Sequence, residues 1–170
     1  MDFKDKKSKT LFSRFAYSCA SKKISRGEIT EDYARSMIGS VRRRKDIPEE
    51  ALSYFTVALK MCQIEASNQD VIDRDSILRY FLSNAHDKVV ESSHKIHGDF
   101  DKEECKARIV KVSGVKGEIV NALFDKKPKD YRNIFSIKVK EGDFAVTHAG
   151  SIVERLTRKE AEKYSRLRSD

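Results

Sequence analysis

The spacing of apolar residues divides the chain into a part with helical periodicity and a part with strand periodicity. Up to about residue 105, apolar side chains recur every three or four positions, the period of an amphipathic helix. Beyond that point they alternate with polar residues or cluster with β-branched residues and glycine, as in short strands. We therefore predict an α+β protein, with an N-terminal helical domain followed by a small five-stranded OB-like β-barrel and a C-terminal helix.

Four helical segments are predicted in the first part, and together they suit a small bundle. They are 10–21, 30–45, 48–64 and 73–98. Thr30 is a suitable N-cap, Pro48 suits a first turn, and either Asp73 or Asp75 can cap the fourth helix. The third segment is apolar around most of its circumference, so we expect it to be the central helix.

The second part contains five predicted strands and one capped helix. The strands are 106–112, 117–124, 133–140, 144–149 and 151–156. Gly114 is expected in the first turn, and the segment 126–132, which contains Pro128, is expected to be a polar loop. Thr157 and Glu160 match a capping box and predict a terminal helix over about 158–168.

Charge is distributed unevenly over the three predicted segments, which are 1–45, 46–104 and 105–170. The chain carries a net charge of +8. Residues 1–45 contain 13 Lys and Arg against 5 Asp and Glu, whereas the remainder contains 22 of each. A positive segment attracts anions over a Debye length of about 8 Å, so RNA, DNA or an acidic protein surface is the expected partner class.

Composition favours a cytoplasmic protein that does not enter a membrane. No apolar run approaches the roughly 18 residues that cross a bilayer, and the charged N-terminus lacks the apolar core of a signal peptide. The three cysteines, Cys19, Cys62 and Cys105, are odd in number and widely spaced. This pattern argues against a disulfide framework and for a reducing compartment.

Few residues suggest chemistry of their own. Neither a glycine-rich phosphate loop nor a Ser-His-Asp arrangement is present, so we expect no enzymatic activity. His86, His94 and His97 lie near the end of the fourth helix and are expected to be surface histidines. His94 and His97, with Asp87 or Asp99, are weak candidates for a zinc or nickel site.

The segment after residue 141 carries a resemblance to a known family. Residues 142–156 read GDFAVTHAGSIVERL, and Glu160-Ala161 follow in the predicted helix. This segment resembles the C-terminal part of the HypC/HupF hydrogenase-assembly chaperones, in which a Gly-Asp-aromatic strand ends in a His-x-Gly turn. The match is close over about 25 residues and extends loosely over 105–168.

The resemblance implies a non-enzymatic maturation chaperone for a nickel-iron hydrogenase. The implied partners are a protein of the HypD type or the hydrogenase large subunit. No intrinsic cofactor is implied, only a transient iron fragment. The residues implied in binding the partner or the iron fragment are Cys105, His148 and Gly150.

The chain departs from the family pattern at its N-terminus. Family members begin with Met-Cys, whereas Met1 is followed here by Asp2. Cys105, immediately before the first barrel strand, is the nearest substitute for the family's thiol. If Cys105 does not replace it, the barrel is retained for protein contact alone.

Nucleic-acid binding is the alternative function. OB-like barrels bind oligonucleotides through one face and its loops. Two groups of cations are candidates for contacting phosphates: Arg42, Arg43, Arg44 and Lys45 in the N-terminal segment, and Lys126, Lys127, Lys129 and Arg132 in the barrel. A third and weaker possibility is a regulator that reads DNA with a helix-turn-helix.

Overall fold

The computed structural model describes residues 2–67, 71–97 and 100–168. The chain forms two compact units, Met1–Tyr80 and Phe81–Asp170. The first unit is helical and the second contains the barrel, so the predicted α+β class is confirmed. The division of the chain into domains 1–45, 46–104 and 105–170 remains a prediction. Within the described ranges, no helix has the length and apolarity of a membrane span.

The first unit is a set of helices joined to a short parallel strand pair. Its elements are β1 Asp2–Phe3, α1 Lys6–Ser18, α2 Ala20–Ser25, α3 Glu31–Arg42, α4 Glu49–Ser53, α5 Thr56–Glu65, β2 Val71–Ile72 and α6 Arg74–Leu82, and α6 crosses into the second unit. Helix α1 buries Leu11, Phe12 and Phe15. The Tyr17 hydroxyl donates to the Ala51 carbonyl at 2.8 Å, which ties α1 to α4 inside this core.

Side-chain caps determine where these helices begin. Thr30 Oγ1 accepts a hydrogen bond from the Tyr33 amide at 3.1 Å, as predicted. Asp73 precedes α6, and its carboxylate accepts from the Ser76 amide at 2.8 Å. The first helix begins earlier than predicted, because Asp5 accepts from the Ser8 amide at 2.7 Å. That backbone hydrogen bond also lowers the pKa of Asp5.

The predicted central helix is interrupted and is not fully buried. Phe55 leaves the helical conformation between α4 and α5, and its ring packs against Tyr17 with centroids 5.2 Å apart. On α5, Val57 is 57% exposed and Ile64 is 56% exposed. The prediction of a central helix is therefore wrong. An apolar pattern around a whole helix does not reveal which of its side chains will be covered by neighbouring elements.

The second unit contains the barrel with helices before and after it. Its elements are α7 Asn84–His97, α8 Lys102–Cys105, β3 Arg108–Lys116, β4 Ile119–Phe124, β5 Lys127–Arg132, β6 Phe144–His148, β7 Ser151–Leu156, α9 Arg158–Ser165 and the 3₁₀ turn Arg166–Arg168. The strands close in the order β3-β4-β5-β7-β6. Every pair is antiparallel except β5–β7, which meet in parallel at Arg132 and Ser151. The capping box of Thr157 and Glu160 is confirmed.

The third barrel strand lies one segment earlier than predicted. Asp125 and Lys126 have φ values of 48° and 64°, which is the two-residue hairpin turn that matches strand twist. The following residues therefore pair back onto β4 as β5, although Pro128 lies among them. Proline is tolerated there because β5 meets β7 only at Arg132, which leaves Pro128 on an edge. Similarly, Gly114 lies within β3 at an irregularity, and the turn falls at Gly117.

Residues 133–140, predicted as a strand, form a loop with two buried apolar side chains. The Asn133 side chain accepts from the Ile137 amide and donates to the Ile137 carbonyl, both at 2.8 Å. Ser136 has a φ of 53° and turns the chain between them. Phe135 and Ile137 are buried, so their alternation reflects insertion into the core rather than strand pairing.

We predict that Asn133→Ala destabilises the protein by about 2 kcal/mol, because it leaves buried backbone groups of Ile137 without partners. Asn121→Ala is the control, since Asn121 bonds Asp130 at the surface and surface changes usually cost less than about 0.5 kcal/mol. Urea unfolding measures both free energies. Equal losses in the two variants would contradict a structural role for the Asn133 bridge.

Candidate partner-binding site

A tight turn brings together two of the predicted site residues. Ala149 and Gly150, with φ values of 48° and 72°, form a two-residue hairpin loop between His148 and Ser151. The Gly150 carbonyl accepts a hydrogen bond from the Arg132 amide at 2.9 Å. Gly150 therefore lies where β5 meets β7, at the closure of the barrel.

His148 lies beneath this turn and not on its surface. The β6–β7 register shifts between Val146 and Thr147, and the residues from Ala145 to His148 are all buried. His148 is 3% exposed. Its ring lies 5.1 Å from the His86 ring and 5.4 Å from the Phe81 ring, between centroids. Phe81, His86 and His148 thus form a buried ring cluster that supports the turn.

His86 was expected at the surface, and that prediction is wrong. It is buried, with its ring 4.9 Å from Phe81 and its Nδ1 atom 3.9 Å from Asp87 Oδ1. A signal for this position is present in the sequence: His86 lies four residues before Val90, which is also buried. That spacing places both residues on one face of α7.

The exposed side of the turn carries one acid and one base. A Cβ atom at Gly150 would lie 2.8 Å from Glu104 Oε1, so the carboxylate covers the turn closely. Lys129 Nζ lies 3.9 Å from the same oxygen, and both side chains are about half exposed. We call Glu104, Lys129, Ala149 and Gly150 the turn surface.

Cys105 follows Glu104 directly but is buried, at 4% exposure. Cys105 is therefore next in sequence to the residue that covers Gly150. Both Cys105 and His148 are shielded from solvent. Burial also raises the pKa of Cys62 well above its ordinary value, whereas Cys19 is part-exposed.

An ion-pair network fixes α8, and with it Glu104 and Cys105. Arg108 contacts Asp87 of α7 at 3.1 Å, and Glu91 of α7 contacts Lys106 at 2.7 Å and Lys102 at 3.2 Å. Hydrogen bonds from Lys106, which has the larger effect, and from Lys102 lower the pKa of Glu91 to about 2. Hydrogen bonds to Glu103, which has the larger effect, and to Glu91 raise the pKa of Lys106. This network joins α7, α8 and the start of β3.

The described members of the predicted metal site, which are Asp87, His94 and His97, are not brought together into a site. The His94 ring packs edge-on against Phe100 with centroids 5.3 Å apart, and His97 is exposed. Asp99 lies outside the described residues. Within 2–67, 71–97 and 100–168, no group of three or more His, Cys, Asp or Glu side chains is placed to hold a metal ion.

The predicted nucleic-acid contacts are exposed but not all on one side of the barrel. Arg42, Arg43, Arg44 and Lys45 are exposed at the end of α3. In the barrel, Lys126 occupies the β4–β5 turn. Because side chains alternate along a strand, Lys127 and Lys129 lie on the side of β5 opposite to Arg132. The predicted barrel cations thus do not share one side of β5.

Comparison of the chain with protein-family models, with curated proteins and with solved structures finds no match in any of the three.

We predict that Glu91→Gln flattens the acid dependence of stability. A carboxyl whose folded pKa is lowered from 4.5 to about 2 stabilises the fold above pH 4.5, and this contribution is lost as pH falls toward 2. Thermal melting should show a smaller loss for the variant than for the wild type over that range. Glu141→Gln, at an exposed loop residue, should melt like the wild type. Parallel curves for all three proteins would contradict the network.

We predict that Gly150→Ala costs about 1 kcal/mol of unfolding free energy, because an alanine resists a left-handed backbone. Gly117→Ala is the matched control: Gly117 has a φ of 61°, and a Cβ atom added there would meet no atom within 4 Å. The nearest atoms to the new Cβ belong to the flexible end of the Glu104 side chain, which can rotate away and add little to the cost. Urea unfolding measures the free energy of both variants, and we expect similar losses. A much larger loss for Gly150→Ala would mean that Glu104 is held rigidly over the turn.

Proposed function

We propose that this chain is a non-enzymatic assembly factor whose barrel docks onto a protein partner through the turn surface. The partner is a maturation protein of the HypD type or a metalloenzyme client such as a hydrogenase large subunit. The observation that carries this proposal is the construction of the Ala149-Gly150 turn. It is closed by the Arg132 amide, covered by Glu104 and supported by buried rings.

The turn surface is suited to docking because it is exposed while its support is rigid. The buried ring cluster and the barrel closure limit how the turn can move, so little conformational entropy is lost on binding. Glu104 and Lys129 present opposite charges 3.9 Å apart, and such pairs set orientation and partner choice more than affinity. His148 is in this proposal a positioning residue, since it precedes the turn directly and its buried ring packs against Phe81 and His86.

An iron fragment enters the proposal only as cargo. Cys105 is the thiol closest in sequence to the turn surface, and its burial means that it cannot hold a ligand until α8 moves. Docking of a protein partner would therefore precede any transfer. The cytoplasm, where thiols stay reduced, is the compartment in which such a cargo thiol would operate.

Affinity capture tests the proposal. The intact tagged protein is recovered from its native cells under reducing, oxygen-free conditions, and bound proteins are quantified by mass spectrometry. We expect a HypD-type protein or a hydrogenase large subunit to co-purify. The double variant Glu104→Lys/Lys129→Glu should reduce its recovery about tenfold, since it reverses both charges of the turn surface. Glu141→Lys/Lys138→Glu, in the exposed part of the 133–143 loop, is the matched control.

His148→Gln adds a second measurement, because glutamine keeps a polar side chain but removes the ring that supports the turn. Recovery should fall while circular dichroism shows a folded barrel. Recovery of ribosomal proteins or nuclease-sensitive partners, with no maturation or client protein, would contradict the proposal. That result would favour the nucleic-acid function, for which the exposed run Arg42–Lys45 is the first segment to mutate.

A further inference from the structure

The outer side of β3, β4 and β5 forms a second exposed surface, which adjoins the Ala149-Gly150 turn at Arg132. Residues directly opposite each other in antiparallel strands point to the same side of the sheet. The register therefore produces three rows on this side, which we call the hairpin face. The rows are Lys111, Leu123 and Pro128; Gly114, Asn121 and Asp130; and Lys116, Ile119 and Arg132.

Burial confirms which side faces outward. The neighbouring residues Val112, Val120 and Ala122 are buried inside the barrel. On the hairpin face, Ile119 is 39% exposed and Leu123 is 38% exposed. A Cβ at Gly114 would lie 3.4 Å from Asn121 Oδ1, so Gly114 leaves room for the Asn121 amide, which donates to Asp130 at 2.5 Å.

Among the described residues of this unit, the cations of the hairpin face lie outside the ion pairs that hold Lys102, Lys106 and Arg108. Lys102, Lys106 and Arg108 are held in the network with Asp87 and Glu91. In the described part of the chain, by contrast, no ion pair involves the side chain of Lys111, Lys116 or Arg132. With the carboxylate of Asp130 included, the face keeps an excess of positive charge beside exposed apolar side chains.

The size of the face limits what it can bind. Strands about 4.8 Å apart and alternate residues about 7 Å apart give a surface of roughly 10 by 14 Å. This is far below the roughly 800 Å² that each partner contributes to a standard protein interface. It matches four or five residues of an extended chain at about 3.3 Å per residue.

We propose that the hairpin face binds a short acidic segment of a protein partner, with carboxylates on Lys111, Lys116 and Arg132 and apolar side chains on Ile119 and Leu123. This inference rests on the proposed docking function and adds a second contact with a defined chemistry. A single-stranded nucleic acid is less suited, because none of the described residues in the three rows is aromatic and base stacking needs a ring.

Fluorescence anisotropy with purified full-length protein tests the hairpin face without any cellular partner. The probes are a labelled octapeptide in which Glu alternates with Val, its counterpart with Lys in place of Glu, and labelled (dT)12. We expect saturable binding of the acidic peptide only. Lys111→Glu/Lys116→Glu/Arg132→Glu should weaken it about tenfold or more.

Lys138→Glu/Lys140→Glu/Lys159→Glu is the control, since it changes net charge equally at exposed residues off the face. Ile119→Ser/Leu123→Ser should weaken binding about threefold and separates apolar contact from charge. Equal weakening by both triple variants, absence of saturable acidic-peptide binding, or tighter binding of (dT)12 would each overturn the inference. If the peptide does not bind but partner capture still depends on Glu104 and Lys129, only the hairpin-face contact is ruled out. If the peptide binds but no partner is captured, the proposed docking function is ruled out instead.

Discussion

The second unit depends on the closure of its barrel between β5 and β7. These strands meet in parallel at Arg132 and Ser151, and the Arg132 amide donates to the Gly150 carbonyl at 2.9 Å. A backbone hydrogen bond contributes only about 1 kcal/mol of net stability, so the closure needs further support. That support comes from the Asn133 bridge on one side and the buried ring cluster on the other.

The same closure relates the two proposed surfaces. Gly150 belongs to the turn surface, while the side chain of Arg132 belongs to the hairpin face, and the two residues share one hydrogen bond. Ion pairs from α7 to Lys106 and Arg108 hold α8, which places Glu104 over the turn. Exposed charged side chains are thus positioned by a mostly buried framework, which keeps a surface site pre-organised.

Local chemistry explains which parts of the fold could be predicted. The N-caps at Thr30 and Asp73 and the capping box at Thr157 are interactions between residues three positions apart, so their sequence spacing suffices. Strands β6 and β7 were also predicted within a residue of their ends, because Gly150 marks the turn between them. The candidate residues Cys105 and Gly150 lie at the barrel, as predicted. The burial of Cys105 and the position of Glu104 over Gly150 were not predicted.

Long-range packing decided the rest. Alternation in 133–140 was identical to that of a strand, and only the Asn133 bridge and the insertion of Phe135 made it a loop. His86 became buried because His148, 62 positions later, supplied a ring to pack against. The α+β class, four of the five barrel strands and the capped helix ends could be predicted from the sequence, since these depend on short-range periodicity and spacing. The position of the third strand, the burial of individual side chains and the charges left uncompensated depend on partners distant in the chain, so they became visible in the folded protein alone.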